Sequence, residues 1–329
     1  MEQPVSETPY ADLGPSVVLD AVESLGLDCD GRLLQLNSYE NRVYQIGLED
    51  QTPVIGKFYR PGRWSDAAIL EEHAFTVELQ ERDIPVVAPL AFNGETLHHY
   101  RGHRFTLFPR QGGRLPDLDS PEARLWLGRY LGRLHLVGGM STFAERPTLT
   151  PETFGRVALR YVLDNGLVPP ALEQVYAGVA EDVLARVEAC FQRAGNVATI
   201  RLHGDCHPGN ILWTDDGPHF VDLDDALNGP AVQDLWMLLS GDRGEMTRQL
   251  DELLEGYEDF SDFDPRQLHL VEALRTLRMM RFSYWLALRW NDPAFPPAFP
   301  WFGGERYWEE QILALREQAA LLDEPPLQL

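Results

Sequence analysis

The chain has 329 residues, 44% hydrophobic and 24% charged, which passes the ~250–300 residues at which one core stops growing, so two lobes are expected. Its 28 Lys and Arg stand against 51 Asp and Glu, a formal charge of −23. A surface that acidic repels phosphate backbones and anionic headgroups, which argues against nucleic-acid and membrane-surface binding and suits a cationic partner. No stretch approaches the ~20 apolar residues of a membrane span. Met1–Pro9 has neither a basic nor an apolar leader region, and Cys29, Cys190 and Cys206 are too scattered for a disulfide framework or a zinc site. A cytoplasmic monomer is the expectation.

Residues 14–26 open on Gly-Pro-Ser, keep helical apolar spacing and close on Gly, which predicts a short leading helix. Leu33–Leu36, Val43–Leu48 and Val54–Tyr59 read as strands, and Ser65–Arg82 as a helix carrying Glu71 and Glu72. Val86–Phe92 and Leu97–Tyr100 read as strands flanking an Asn93-Gly94 turn, and Arg104–Phe108 as another strand. Residues 1–108 are thus expected to form an N-lobe of antiparallel sheet plus helix, with a Gly/Pro/Asp-rich hinge at 109–119. Residues 120–329 predict a mainly helical C-lobe: Pro121–Val137, Ala171–Ala194, Ala231–Leu239, Thr247–Tyr257, Pro265–Trp290 and Glu305–Leu322. Between those helices lies one polar, turn-rich island, Ile200 to Asn228, where a site would be built on a rigid scaffold.

Twenty-seven arginines accompany a single lysine, Lys57, alternating with apolar neighbours in the third strand. A chain that uses Arg wherever positive charge suffices has kept one compact ammonium, at a position where a planar guanidinium is a poor substitute. The island reads His203-Gly-Asp-Cys-His-Pro-Gly-Asn210, then Phe220-Val-Asp-Leu-Asp-Asp225. Phosphoryl transfer needs a carboxylate for the hydroxyl proton, oxygen ligands for Mg²⁺ and a cation on the phosphates. Asp205, Asn210 with Asp222, and Lys57 supply these in turn, with Glu72 or Glu71 orienting the lysine.

His-Gly-Asp-x-His-x-x-Asn followed by a strand ending in Asp resembles the aminoglycoside phosphotransferase and choline kinase-like branch of the protein kinase-like superfamily. Asn37–Tyr44, Lys57–Pro61, Val221–Ala226 and Asn228–Trp236 further resemble a bacterial stress-response family of serine/threonine protein kinases on that fold, from about Val18 to the C-terminus. The resemblance implies a two-lobed α+β kinase-like fold, with catalytic loop 203–210 and metal-binding segment 220–225. ATP would be the co-substrate, with Mg²⁺ held by Asn210 and Asp222, and a protein Ser/Thr hydroxyl the acceptor. Asp205 would be the proton acceptor and Asp222 catalytic with it. Lys57 would contact the phosphates and pair with Glu72, Ser38 would lie against the nucleotide, and Asp234 would brace the catalytic loop. The same motif serves small-molecule kinases acting on choline, amino alcohols, homoserine or aminoglycosides.

Two features depart from protein kinases. The loop 36–43 over the phosphates has no glycine, leaving Ser38, Asn37 or Asn41 as side-chain donors, and no activation segment separates Asp225 from the helix near Ala231. His203 and His207 read as structural histidines, and Cys206 as inert. Asp224 and Asp225 read either as a solvated turn or as assistants to metal or substrate. The stripe Phe282, Tyr284, Trp285, Leu286, Trp290 reads as core or as an aromatic cage.

Overall fold

The computed structural model describes residues 9–49 and 51–329, so the leading stretch read for a signal lies, Pro9 apart, outside the described residues. In chain order the elements are α1 (Pro15–Glu23), β1 (Cys29–Leu36), β2 (Arg42–Leu48), β3 (Gln51–Phe58), α2 (Asp66–Glu81), β4 (His98–Tyr100) and β5 (His103–Pro109). Then come α3 (Pro121–Gly138), α4 (Val157–Asp164), α5 (Pro170–Ala194), β6 (Ile200–Leu202), β7 (Ile211–Thr214), β8 (Gly217–Phe220) and β9 (Leu227–Gly229). The chain finishes with α6 (Val232–Trp236), α7 (Arg243–Tyr257), α8 (Val271–Arg289), α9 (Phe295–Ala298) and α10 (Glu305–Asp323). Two compact units result. One holds the chain up to Pro116, Ala144–Arg146 and Pro208–Asp225; the other holds Asp117–Phe143, Pro147–His207 and Ala226–Leu329.

The first unit is built on an antiparallel sheet in the order β1-β2-β3-β5-β4. Alternation along β2 and β3 turns Tyr44, Ile46, Leu48, Val54 and Phe58 into a core shared with Phe105 and Leu107 of β5 and with Val18, Ala21 and Val22 of α1. Phe58 and Phe105 stack at 5.3 Å. Ser65 caps α2 by accepting from the Ala68 N–H. The strand expected over Val86–Phe92 is reduced to isolated bridges at its two ends, Val86 to Phe220 and Phe92 to Glu95. Pro85 and Pro89 lack the N–H groups a ladder needs. Asn93 and Gly94, at φ 53° and 84°, make the expected tight turn.

Residues 208–225, counted with the C-lobe in the sequence reading, pack in the first unit. The β7–β8 hairpin is tied there by a Trp213–Arg114 bridge, by the Phe220 N–H donating to Pro85 O at 2.8 Å and by the Val87 N–H donating to Phe220 O at 3.1 Å.

The second unit is mainly helical. Its tightest contact is α3 on α7, where a Cβ on Gly128 would lie 1.9 Å from Leu253 O and one on Gly256 would lie 2.1 Å from Leu125 O. Glycine lets those two backbones meet. α10 packs on α5 through Trp308, edge-on to Tyr176 at 5.1 Å. A short β6–β9 ladder, Ile200↔Gly229 to Leu202↔Leu227, carries the start of the polar island. α4 and the π-helical turn before it at Pro151–Arg156 were not anticipated; an approach broken by Pro147, Pro151 and Gly155 hides their period.

Candidate active site

Within the second unit, β6 delivers the chain to His203, and Gly204 at φ 85° turns it sharply, a conformation that a side chain would strain. Fully buried Asp234, on α6, accepts from the N–H groups of His203 at 2.9 Å and Gly204 at 2.8 Å, with His135 Nε2 3.1 Å away. Gln233 donates to Gly204 O at 2.9 Å. The expected brace under the loop is present, and it fixes backbone, leaving the Asp205 carboxylate to its own partners. Arg278 Nη1 on α8 donates to Asp205 Oδ1, and His207 Nε2 lies 3.5 Å from Oδ2. Burial pushes the Asp205 carboxyl up, but the hydrogen bond from His207 and the charge of Arg278 outweigh it and hold the group well below the usual carboxylate range. Asp205 is therefore an ionised carboxylate at neutral pH. His203 is fully buried as expected, whereas His207 is half-exposed beside Asp205 rather than buried. Cys206 is fully buried and its thiol is pushed well up by desolvation, which makes it inert.

Within the first unit, Lys57 on β3 extends its ammonium to Asp222 Oδ1 at 2.7 Å and Asp224 Oδ1 at 3.3 Å. Burial would lower its pKa, but Asp222, Asp224 and Glu72 raise it above the ordinary value, so the ammonium keeps its proton. The Lys57–Glu72 ion pair expected from the sequence is not formed. Glu72 is buried and its nearest cation is Arg146, at 3.8 Å, whose other nitrogens donate to Ala68 O and Asp224 O. Desolvation pushes the Glu72 carboxyl up to about 7 against the pull of Lys57 and Arg146. The choice between the two glutamates resolves by helix phase. Glu71 faces away and accepts from the N–H groups of Ala144, Glu145 and Arg146 at 2.7–3.1 Å.

Asp222 follows β8 with φ 59°, and its side chain is 56% exposed. The Val221 N–H donates to Asn210 O at 3.0 Å, so the β7–β8 hairpin sets Asn210 across from the residue that precedes Asp222. Asp224 is buried, not solvated: it accepts from Asn41 Nδ2 at 3.0 Å and from Arg63, and its Oδ1 has no hydrogen bond. Desolvation raises its pKa, yet Arg63, Lys57 and Arg146 together hold it well below the usual range. Asp225, half-exposed, takes the second arm of Arg63 at 2.5 Å. Ser38 lies half-buried in the β1–β2 loop, whose other end is pinned by Asn41 Oδ1 accepting from the Arg60 N–H and by Arg60 donating to the Glu40 and Tyr39 carbonyls. Side chains thus hold the loop where glycines would otherwise shape it.

These donors fit Mg²⁺. Carboxamide and carboxylate oxygens, one carboxylate largely exposed and another oxygen buried without a hydrogen bond, suit a hard cation that takes its remaining ligands from water and phosphate. No group of three His, Cys, Asp or Glu among the described residues makes a self-sufficient metal cage. Arg63, Arg146 and Arg278 went unread in the sequence; among twenty-seven arginines nothing local marks them out.

The sheet-plus-helices fold, the braced His-Gly-Asp loop and the lysine held against a post-strand aspartate define a kinase, a phosphotransferase enzyme. Residues 32–271 match the APH model, described as the phosphotransferase enzyme family. The chain belongs to that family. It is 46% identical over 97% of both chains to "Stress response kinase A" of Escherichia coli (strain K12), and equally to "Serine/threonine protein kinase RdoA" of Salmonella typhimurium. Among solved structures, "Amicoumacin kinase hAmiN in complex with AMP-PNP, Ca2+ and Ami" superposes with a TM-score of 0.73 at 18% identity, covering 97% of this chain and 96% of that one. A microcompartment-associated aminopropanol kinase superposes with a TM-score of 0.66 at 16% identity, covering 94% and 97%. Among the described residues, no helix is long and apolar enough to cross a membrane.

Proposed function

We propose that this kinase is a serine/threonine protein kinase of a bacterial stress response, transferring the γ-phosphoryl of ATP to a protein hydroxyl. The observation that carries the reading is the filled catalytic set in a chain that shares 46% identity with relatives bearing those names. Asp205, ionised and set on a braced backbone, takes the hydroxyl proton as the acceptor oxygen bonds to phosphorus and the bond to ADP breaks. Asn210 and Asp222 would hold Mg²⁺, which supplies charge neutralisation on the phosphate oxygens. Lys57 contributes a fixed point charge to those phosphates, and Asp222 and Asp224 beside its ammonium keep it protonated, with buried Glu72 adding to them in its ionised form. Ser38 offers a hydroxyl donor to the nucleotide from the glycine-free loop. Positioning and charge complementarity, rather than covalent chemistry, carry the rate.

γ-Labelled ATP with Mg²⁺ tests this, using a generic basic protein beside amino alcohols and aminoglycosides, wild type against Asp205→Ala. Label on protein that vanishes in the variant is the expected result. Label confined to a small molecule would replace the protein acceptor with a metabolite.

A further inference from the structure

No motif points to Arg278, yet α8 brings it to the carboxylate at the centre of the chemistry. Its Nη1 donates to Asp205 Oδ1, and the two side chains are 45% and 22% exposed. The helix is held by buried Ala273, Leu274, Leu277 and Met280, so the guanidinium comes from a rigid element and only its own torsions can move it. A carboxylate oxygen that already accepts a charge-assisted bond has a lone pair occupied and its charge partly neutralised, and it accepts a hydroxyl proton poorly. For Asp205 Oδ1 to act, the guanidinium must pass to another anion. Its partial exposure leaves it within reach of one carried by the acceptor.

Resting on the reading of Asp205 as proton acceptor, we propose that Arg278 selects the acceptor. Its guanidinium exchanges Asp205 for a carboxylate beside the acceptor hydroxyl, docking the acceptor and lifting the charge-assisted bond from Oδ1 in one exchange. The hydroxyl proton then goes to Asp205 as the oxygen bonds to the γ-phosphorus and ADP leaves; Arg278 stays protonated throughout. The net charge of −23 opposes approach of such an acceptor. At physiological salt that opposition is screened beyond ~8 Å, so the selectivity is one of contact and not of steering. The carboxylate has two sources: an acidic side chain next to Ser or Thr in a protein, or the carboxylate of a free hydroxy amino acid.

The test pairs acceptors that differ only in that charge. Ser peptides flanked by Glu are compared with the same peptides flanked by Gln, and free serine and homoserine with their amides. Initial rates and equilibrium binding are measured for wild type, Arg278→Gln, Arg278→Lys and Asp205→Ala. Wild type should favour the charged member by about tenfold, the size of one charge-assisted contact. Arg278→Gln should bring the ratio to about one, and Arg278→Lys should restore part of the preference, as a single point charge can. Preference in the peptide arm assigns the protein source, and in the amino-acid arm the metabolite source. A wild type without preference in binding or rate, or a ratio untouched in Arg278→Gln, overturns the proposal. Undiminished turnover in Asp205→Ala, with the binding preference intact, would instead remove the Asp205 reading and leave Arg278 as an acceptor-binding residue. Circular dichroism on each variant checks folding, and Arg278→Lys carries the comparison if the glutamine variant unfolds.

Discussion

Replacing Asp234 by alanine strips the catalytic loop of its brace, and the structure sets the scale of the loss. The carboxylate is fully buried and serves the His203 and Gly204 N–H groups at 2.9 and 2.8 Å and faces His135 Nε2 at 3.1 Å. Each buried N–H left without an acceptor costs about 1–3 kcal/mol, and breaking a buried charged network costs about 3–5 kcal/mol. Asp234→Ala should therefore lose about 3–5 kcal/mol of unfolding free energy, read by urea denaturation through tryptophan fluorescence. Because the two amides sit immediately before Asp205, turnover should also fall by about a hundredfold, the effect of displacing a reacting group by roughly 1 Å. Asp234→Asn keeps one carbonyl acceptor but sets an amide N–H₂ against the second backbone donor, so its losses should be intermediate. An alanine variant within about 1 kcal/mol of wild type and with unchanged turnover would refute the brace argument.

Other perturbations report on separate parts. Lys57→Arg should cut turnover by about a hundredfold in steady-state kinetics despite conserving charge, because a compact buried ammonium paired with Asp222 and Asp224 gives way to a larger planar fork. Asp222→Asn should weaken Mg²⁺-dependent nucleotide binding, seen by titration calorimetry at varied Mg²⁺, while metal-free binding changes little. Glu72 has its carboxyl raised from 4.5 to about 7, so the folded state binds the extra proton and the stabilisation from this group, full below 4.5, is lost as pH rises through about 7. Glu72→Gln should flatten that part of the stability–pH curve relative to wild type in denaturation midpoints. Gly128→Ala drives a methyl into Leu253 O and should cost about 1–3 kcal/mol or more by forcing α3 off α7.

The outline of the fold was legible because period and punctuation agree: alternation marks β2 and β3, and Ser65 with its helical run marks α2. Where proline interrupts, the reading fails, as at Val86–Phe92 and in the turn before α4. Asp205, Asn210, Asp222 and Lys57 stand out because an island of Asp, His and Gly is rare between helices and the lysine is alone. What stayed hidden is long-range pairing. Whether Lys57 meets Glu72 or the Asp222–Asp224 segment depends on where Arg146, 74 residues beyond Glu72, places its guanidinium. The contrast between buried Asp224 and half-exposed Asp225 likewise depends on Arg63 and Asn41 reaching across the unit. Neither partner leaves a local trace.

In the proposed reaction Asp205 takes the acceptor proton. Single-turnover transfer from γ-labelled ATP, with Asp205→Asn beside wild type at matched nucleotide saturation, tests it most directly. Nucleotide binding should stay near the wild-type value and transfer should fall by about a hundredfold or more, the scale of a lost general base. Transfer at the wild-type rate in the variant would contradict it.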